Sequence, residues 1–129
     1  MNKILVEVSV GELLDKISIL EIKKEKIKDS EKLKFINDEY NVLKDQFNMN
    51  VKSDEKIDKL FKSLKEINSK LWVIEDDKRL CEKNSDFGEE FIKLSRDVHF
   101  LNDERAKLKL EINNKTGSKI KEIKEYTKY

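Results

Sequence analysis

Two ladders of apolar residues dominate the hydrophobic and polar pattern between residues 57 and 112. In each ladder, apolar side chains recur at steps of three and then four residues, which places them on one face of an α-helix. An average repeat of about 3.5 residues is typical of seams along which two helices pack as in a coiled coil. The pattern therefore predicts two long helices, over residues 54–83 and 87–116. The first ladder comprises Ile57, Leu60, Leu64, Ile67, Leu71, Ile74 and Cys81, and the second comprises Phe87, Phe91, Leu94, Val98, Leu101, Leu108 and Ile112.

Short polar breaks separate the predicted helices. Asn84 and Ser85 stand between the two ladders, and so short a connection requires the long helices to fold back as an antiparallel hairpin. Apolar residues at helical spacing predict two further helices, over residues 10–28 and 31–48. A left-handed Gly117 is expected to end the fourth helix. The residues expected to cap the helix starts are Ser9 with Glu12, Asp29 or Ser30, Ser53, and Asp86 with Glu89.

The two ends of the chain differ from this helical pattern. Residues 3–8, Lys-Ile-Leu-Val-Glu-Val, are rich in β-branched types and predict a short strand. A lone strand needs a partner, either the same segment of a second chain or the carboxy-terminal tail. Residues 118–129 form a basic tail whose conformation the sequence leaves open. The expected fold is therefore all-α: a single domain, residues 1–129, built as an antiparallel helical hairpin or four-helix bundle with coiled-coil-like seams and a short amino-terminal strand.

The composition suits long helices joined by short loops. The 129 residues include no proline and only three glycines, and 43% are charged while 37% are hydrophobic. The 28 basic and 27 acidic residues leave a net charge of +1, so no overall field attracts nucleic acid or an anionic membrane. Residues 115–129, with five lysines against two glutamates, are the only basic patch. Nucleic-acid binding through this tail is the least favoured interpretation.

The sequence also argues against several kinds of chemistry. The single cysteine excludes an internal disulfide, and its place on a ladder indicates a buried thiol. The single histidine, His99, belongs to no metal-ligand motif, and no nucleophile elbow or glycine-rich phosphate loop is present. We therefore expect no catalytic residue, no metal and no cofactor. Since no run of about 18 apolar residues predicts a membrane span, we expect no membrane partner and a cytoplasmic location.

Arg105 interrupts the second ladder where the spacing calls for leucine or isoleucine. A buried guanidinium needs carboxylate or carbonyl partners, and Ser18, Glu21 and Glu66 are the candidates. One interpretation is that Arg105 reaches the rim of the bundle or fixes the register of the helices. The other is that Arg105 binds a ligand, in a cleft lined by polar residues of the first and fourth helices.

Two segments carry motif-like patterns of apolar and polar residues. The first is Val-Ser-Val-Gly-Glu-Leu-Leu-Asp-Lys-Ile-Ser-Ile-Leu-Glu-Ile-Lys at 8–23, and the second is Phe-Gly-Glu-Glu-Phe-Ile-Lys-Leu-Ser-Arg-Asp-Val at 87–98, continuing into Leu-Asn-Asp-Glu-Arg-Ala at 101–106. They resemble a family of small helical proteins of unknown function, whose members are encoded by bacteria and marine phages, in bacteria sometimes near genes for surface-glycan synthesis. The resemblance implies no established activity, and for a phage-encoded member it implies the host cytoplasm. It implies motif positions at Gly11, Asp15, Lys16, Glu21, Arg96, Asn102, Asp103 and Arg105.

Uniform seams, an unpaired strand and the lack of a catalytic constellation favour a non-enzymatic helical interaction module. We expect this module to self-associate as a homodimer or to bind another protein. The alternative is a helical bundle, linked to glycan metabolism, that binds a small molecule or acts as an enzyme such as a mutase or lyase on an anionic substrate. The candidate binding residues for that alternative are Asp15, Lys16, Glu21, Arg96, Asn102, Asp103 and Arg105.

Overall fold

Four α-helices form the computed structural model, which describes residues 3–129. Helix α1 spans Val10–Lys26, α2 spans Ser30–Asn50, α3 spans Glu55–Lys83 and α4 spans Glu89–Thr116. The predicted all-α fold class is therefore confirmed. Within residues 3–129, no helix combines the length and the apolar character that crossing a bilayer requires.

The central helix of the fold is α1. Helices α3 and α4 pack along each other as an antiparallel hairpin, α1 lies against both of them, and α2 packs on α1. Leu14 and Ile17 of α1 are almost fully buried between the other helices. Around them, the core is completed by Phe47 of α2, Ile57 and Leu64 of α3, and Ile112 of α4.

Both predicted ladders face the interior of the hairpin. The buried ladder residues are Ile57, Leu64, Ile67, Leu71 and Cys81 of α3, together with Leu94 and Ile112 of α4. Phe87 is the exception, with 52% of its surface exposed. It precedes the first turn of α4 and packs edge-to-face on Phe91, with ring centroids 5.5 Å apart. The buried seam of α4 therefore begins near Phe91, about one helical turn after the start that the ladder predicts.

Side-chain caps fix the start of α1 and α2, and a glycine ends α4. The Ser9 hydroxyl accepts the Glu12 backbone N–H at 3.0 Å, as its capping-box spacing predicts. Asp29 accepts two backbone N–H groups of the first turn of α2. Gly117 has a φ of 68°, the left-handed conformation expected of a residue that follows a helix.

Two of the predicted caps are wrong. Helix α3 is capped by Asp54, because the hydroxyl of the predicted cap, Ser53, donates instead to the Asp58 carboxylate at 2.9 Å. Helix α4 starts after Gly88, which offers no side-chain cap. The carboxylate of Asp86, predicted to cap α4, accepts the Gly88 backbone N–H at 3.3 Å and so stabilises the connection.

The strand predicted over residues 3–8 is not formed. These residues have no regular secondary structure and are exposed. A β-strand is stabilised by hydrogen bonds to a neighbouring strand, and residues 3–129 contain no other strand. We call residues 3–8 the amino-terminal arm.

The carboxy-terminal tail, residues 118–129, runs back along α4 with neither helix nor strand. Glu122 pairs with Lys109, and the Tyr129 hydroxyl donates to the Asp103 carboxylate. Because Asp103 precedes Lys109 on α4 while Tyr129 follows Glu122, the tail is antiparallel to the helix.

Candidate functional site

A buried carboxylate, that of Asp15 on α1, lies at the centre of the polar side chains between α1, α3 and α4. Only 1% of Asp15 is exposed. Arg105 of α4 donates from Nε to Oδ1 at 2.9 Å and from Nη2 to Oδ2 at 2.5 Å. Such bidentate pairs are among the strongest hydrogen-bonded contacts of side chains. The partner of Arg105 is therefore Asp15, and the prediction that Glu21 or Glu66 neutralises this arginine is wrong.

Asn68 of α3 completes the contacts of this carboxylate. Its Nδ2 donates to Asp15 Oδ1 at 2.9 Å and to Ser18 Oγ at 2.8 Å. The Ser18 hydroxyl in turn donates to the Asp15 backbone carbonyl at 2.7 Å. Arg105 Nη1 donates to Asn102 Oδ1 over a longer distance of 3.4 Å. These five residues, which we call the Asp15 cluster, link three helices through one carboxylate.

The hydrogen bonds of the cluster keep Asp15 ionised. Burial alone would raise the pKa of Asp15, but the hydrogen bonds from Arg105 and Asn68 outweigh burial, so the pKa lies below its ordinary value. The hydrogen bond to Asp15 raises the pKa of Arg105. A general base needs an accessible lone pair and a pKa near the working pH, and Asp15 has neither. The cluster is therefore suited to holding helices together.

The first turn of α1 is held by groups at the end of α4. The Gly11 backbone N–H donates to Asn113 Oδ1 at 2.7 Å, and the Val10 N–H donates to the Ser118 hydroxyl at 3.3 Å. Free N–H groups at a helix start need such partners. The approach is so close that a Cβ on Gly11 would lie 2.5 Å from the Lys109 carbonyl oxygen. Glycine is therefore required at this contact.

Lys109 of α4 ties both α1 and the tail to the same region. Its Nζ donates to Glu12 Oε2 at 2.6 Å and to Glu122 Oε2 at 2.9 Å, while the residue is only 8% exposed. Burial would lower the pKa of Lys109, but its hydrogen bonds to the two carboxylates raise it. Lys109 therefore stays charged and acts as a bridge between α1 and the tail.

Glu21 belongs to a second polar group, in which α1, α2 and α3 meet. Lys65 Nζ lies 3.1 Å from Glu21 Oε1 and 2.8 Å from Glu25 Oε1. The Tyr40 hydroxyl donates to Glu21 Oε2 at 3.4 Å, and burial together with the charge of Glu21 raises the pKa of Tyr40. Glu21 therefore joins helices at a different place from the Asp15 cluster.

The remaining predicted binding residues lie outside the Asp15 cluster. Lys16 is exposed. Arg96 is also exposed, with its guanidinium 6.0 Å from the centroid of the Phe100 ring. Asp103 accepts the Tyr129 hydroxyl on the face that the tail covers. The structure thus brings together Asp15, Asn102 and Arg105.

An open groove of about 340 Å³ borders the Asp15 cluster. Trp72 is partly buried and gives the groove a flat apolar wall, and Arg105 also lines the groove. Glu75, Asp76 and Arg79 are exposed at its rim. Guanidinium and carboxylate groups around an indole can hydrogen-bond a polar ligand whose apolar part packs on the ring. We call this feature the Trp72 groove.

Sequence reasoning missed Asn68, Lys109 and Asn113, although a signal for them exists. Each polar residue directly follows a ladder residue: Ile67, Leu108 and Ile112 respectively. Residues that follow a seam position lie on one flank of the seam. A polar residue directly after a seam position, on α3 as on α4, indicates contact with a further helix beside the seam, which here is α1.

Other reactive groups are shielded or dispersed. Cys81 is buried within the hairpin, and burial together with nearby Asp86 and Glu90 raises the pKa of its thiol. The nucleophilic form of cysteine is the thiolate, so this thiol is suited to packing. Within residues 3–129, no three His, Cys, Asp or Glu side chains are grouped as metal ligands would be. The residues that line the Trp72 groove offer a partner hydrogen bonds, ion pairs and apolar contact.

The fold and the site define a small all-α protein whose three packed helices share one buried, arginine-paired carboxylate. The chain belongs to DUF6165, a family of unknown function, and the match extends over residues 4–129. All four helices and the whole Asp15 cluster lie within the matched residues. The resemblance to a family of small helical proteins of unknown function is thereby confirmed. Neither the curated proteins nor the solved structures yielded a match.

Proposed function

We propose that the protein is a non-enzymatic helical interaction module that self-associates through its amino-terminal arm. The observation that carries this proposal is the exposure of three consecutive apolar side chains, since Ile4, Leu5 and Val6 are 88%, 90% and 75% exposed. Burying such a side chain contributes about 1.5–3 kcal/mol relative to leaving it in water. A second chain that covers the arm would therefore be stabilised by this burial.

The arm also has unused backbone hydrogen-bonding groups. Within residues 3–129, the backbone of residues 3–8 has no backbone hydrogen-bond partner. A segment whose backbone N–H and C=O groups are unpaired can pair with a segment of a second chain as two strands. A second copy of the chain supplies a segment that is equally rich in β-branched residues and whose backbone groups are likewise unpaired.

The base of the arm is held in place, which favours association. Ser9, only 4% exposed, caps α1, and the N–H groups of Val10 and Gly11 are bound by Ser118 and Asn113. The arm therefore leaves the helices at a fixed point. Binding a partner would order the arm alone, which limits the conformational entropy lost on association.

Light scattering at several protein concentrations tests this proposal. The full chain is expected to approach twice its mass of 15.3 kDa as concentration rises. A variant that lacks residues 1–8 but retains Ser9 is expected to remain a single chain. Replacing two exposed apolar residues of α2 in the variant Phe35→Ser/Val42→Ser serves as the matched control and should leave the association unchanged. A monomeric full chain would contradict the proposal.

A second candidate function is the binding of a small polar molecule in the Trp72 groove, supported by the position of Trp72 and Arg105 in one groove of about 340 Å³. Sugar nucleotides and anionic metabolites are the compounds to test, since the family resemblance implies a link to surface-glycan synthesis. A ligand is expected to raise the unfolding temperature of the full chain, and to lose this effect in Trp72→Ala and Arg79→Gln. Arg96→Gln, outside the groove, is the control. If no compound raises the unfolding temperature, this candidate is rejected.

A further inference from the structure

We propose that two copies of the chain pair their arms as antiparallel strands across a twofold axis at Leu5, with Lys3 of each copy opposite Glu7 of the other. This inference rests on the proposed self-association and specifies its geometry. It follows from the order of charged and apolar residues in the arm and from their exposure in the structure.

The sequence of the arm is self-complementary in this register. When the twofold axis passes through Leu5, Lys3 faces Glu7 and Ile4 faces Val6 of the second copy. Opposite charges directly across two strands stabilise the pair, as do facing β-branched side chains. Leu5 faces its own counterpart. Every side chain from residue 3 to residue 7 therefore has a favourable neighbour.

Other registers lose these contacts. A shift of one residue places Lys3 opposite Val6 or Val8, so that the opposite charges no longer face each other. A parallel, in-register pair would place Lys3 opposite Lys3 and Glu7 opposite Glu7, which is repulsive. The charges of the arm therefore select the antiparallel register centred on Leu5.

The same register produces one continuous apolar face. Successive side chains of a strand point to opposite faces, so Ile4, Val6 and Val8 share one face while Lys3, Leu5 and Glu7 share the other. An isolated two-stranded ribbon is marginal in water, and its apolar face needs a cover. Val8, 41% exposed, adjoins the buried cap residue Ser9, so the apolar face begins beside the helices that can cover it.

The carboxy-terminal tail is a weaker partner for the arm than a second copy is. Glu122 of the tail already binds Lys109, and Tyr129 binds Asp103 and packs against His99 and Phe100, with ring centroids 5.5 and 5.3 Å apart. Pairing the tail with the arm would replace these contacts. Pairing with a second arm uses groups of residues 3–8, for which the described part of the chain, residues 3–129, offers no backbone hydrogen-bond partner.

Disulfide trapping of the full chain tests the register. The variant Cys81→Ala removes the only native thiol, and Ile4→Cys, Leu5→Cys and Val6→Cys are then made singly in that background. Directly opposite residues lie within disulfide range, whereas diagonal neighbours, about 7–8 Å apart, exceed it. On mild oxidation, Leu5→Cys should cross-link about tenfold faster than either of the other variants alone. An equimolar mixture of Ile4→Cys and Val6→Cys should cross-link about tenfold faster than either component.

Each pattern of cross-linking has one meaning. Fastest linking of Ile4→Cys or of Val6→Cys, or equal linking at all three positions, would overturn the register. No linking at any position would also overturn it, and if light scattering still shows a dimer, self-association itself stands. A chain that is monomeric by light scattering would overturn both proposals.

Charge exchange provides an independent measurement. Lys3→Glu and Glu7→Lys each place like charges opposite one another twice, and each should raise the dissociation constant of the dimer roughly tenfold. An equimolar mixture of the two variants restores both opposite-charge pairs and should associate as tightly as the unchanged chain. Failure of the mixture to associate more tightly than either variant would overturn the proposed pairing.

Discussion

Asp15 and Arg105 are separated by 90 residues in the chain, and their side chains are joined by two hydrogen bonds of 2.9 and 2.5 Å. The two members of the pair differ in exposure: 28% of the arginine side chain is exposed, against 2% of the aspartate side chain. The guanidinium can therefore turn toward water if its partner is lost, whereas the carboxylate cannot. Because of this difference in exposure, removing the arginine and removing the aspartate charge should cost different amounts of unfolding free energy.

We expect Arg105→Leu to be more destabilising than Asp15→Asn. Arg105→Leu leaves a buried carboxylate without its cation and should lower the free energy of unfolding by about 3 kcal/mol at pH 7. Asp15→Asn keeps a hydrogen-bond acceptor and should cost about 1–2 kcal/mol. Urea unfolding measures both. Arg79→Leu, which removes an exposed arginine, is the control and should change stability by less than about 0.5 kcal/mol. Equal costs for the two cluster variants would contradict the assigned burial.

The cost of Arg105→Leu should depend on pH. Because the pKa of Asp15 in the folded protein lies below its ordinary value, its ion pair stabilises the fold above the unfolded-state pKa and is lost as pH falls through the folded-state pKa. Removing Arg105 raises the pKa of Asp15 in the folded state, so acidification penalises the variant less. The difference in unfolding free energy between the two proteins should therefore shrink between about pH 5 and pH 2. Urea unfolding at several pH values measures this, and a constant difference would count against the ion pair.

Gly11→Ala should destabilise the fold, although alanine normally favours helices over glycine. The added Cβ would lie 2.5 Å from the Lys109 carbonyl oxygen and 2.9 Å from Asn113 Oδ1, so α1 must move away from α4. We expect a loss of about 1–3 kcal/mol in thermal or urea unfolding. Gly88→Ala is the matched control, because its Cβ would meet only Asp86 Oδ1, at 3.5 Å. Stabilisation by Gly11→Ala would show that the helices are not this close.

Lys109→Met should release the carboxy-terminal tail from α4. The methionine retains the length of the side chain but cannot bind Glu12 and Glu122, which are held at 2.6 and 2.9 Å. Amide ¹⁵N relaxation should show greater motion of tail residues 119–125 on the nanosecond timescale. Lys107→Met, at an exposed position two residues away, is the control. Unchanged relaxation in Lys109→Met would mean that this bridge does not hold the tail.

The two ladders predicted the helices. The spacing of apolar residues does not show which side chains of α1 face Arg105. Asp15 and Glu21 both lie on α1, but six residues place them on different sides of the helix. The ladder fixes which face of α3 and α4 is buried and does not fix how α1 is rotated against the hairpin. Asn68 and Gly11 determine that rotation through contacts made only after folding.

The errors at the ends of elements have similarly local causes. Ser53 and Asp54 are adjacent and both are good capping residues, so only the hydrogen bond from Ser53 to Asp58 distinguishes them. The predicted strand at residues 3–8 has the right residue types, but a strand forms only beside another strand. In the proposed dimer, that second strand comes from the other copy.

Sedimentation equilibrium of the full chain, compared with the variant Ile4→Ser/Val6→Ser, tests self-association through the arm most directly. The full chain is expected to shift from 15.3 kDa toward twice that mass with rising concentration, while the variant, which lacks two of the three apolar side chains on that face of the arm, is expected to remain at 15.3 kDa. A full chain of 15.3 kDa at every concentration, or a variant that dimerises as tightly as the full chain, would contradict the account.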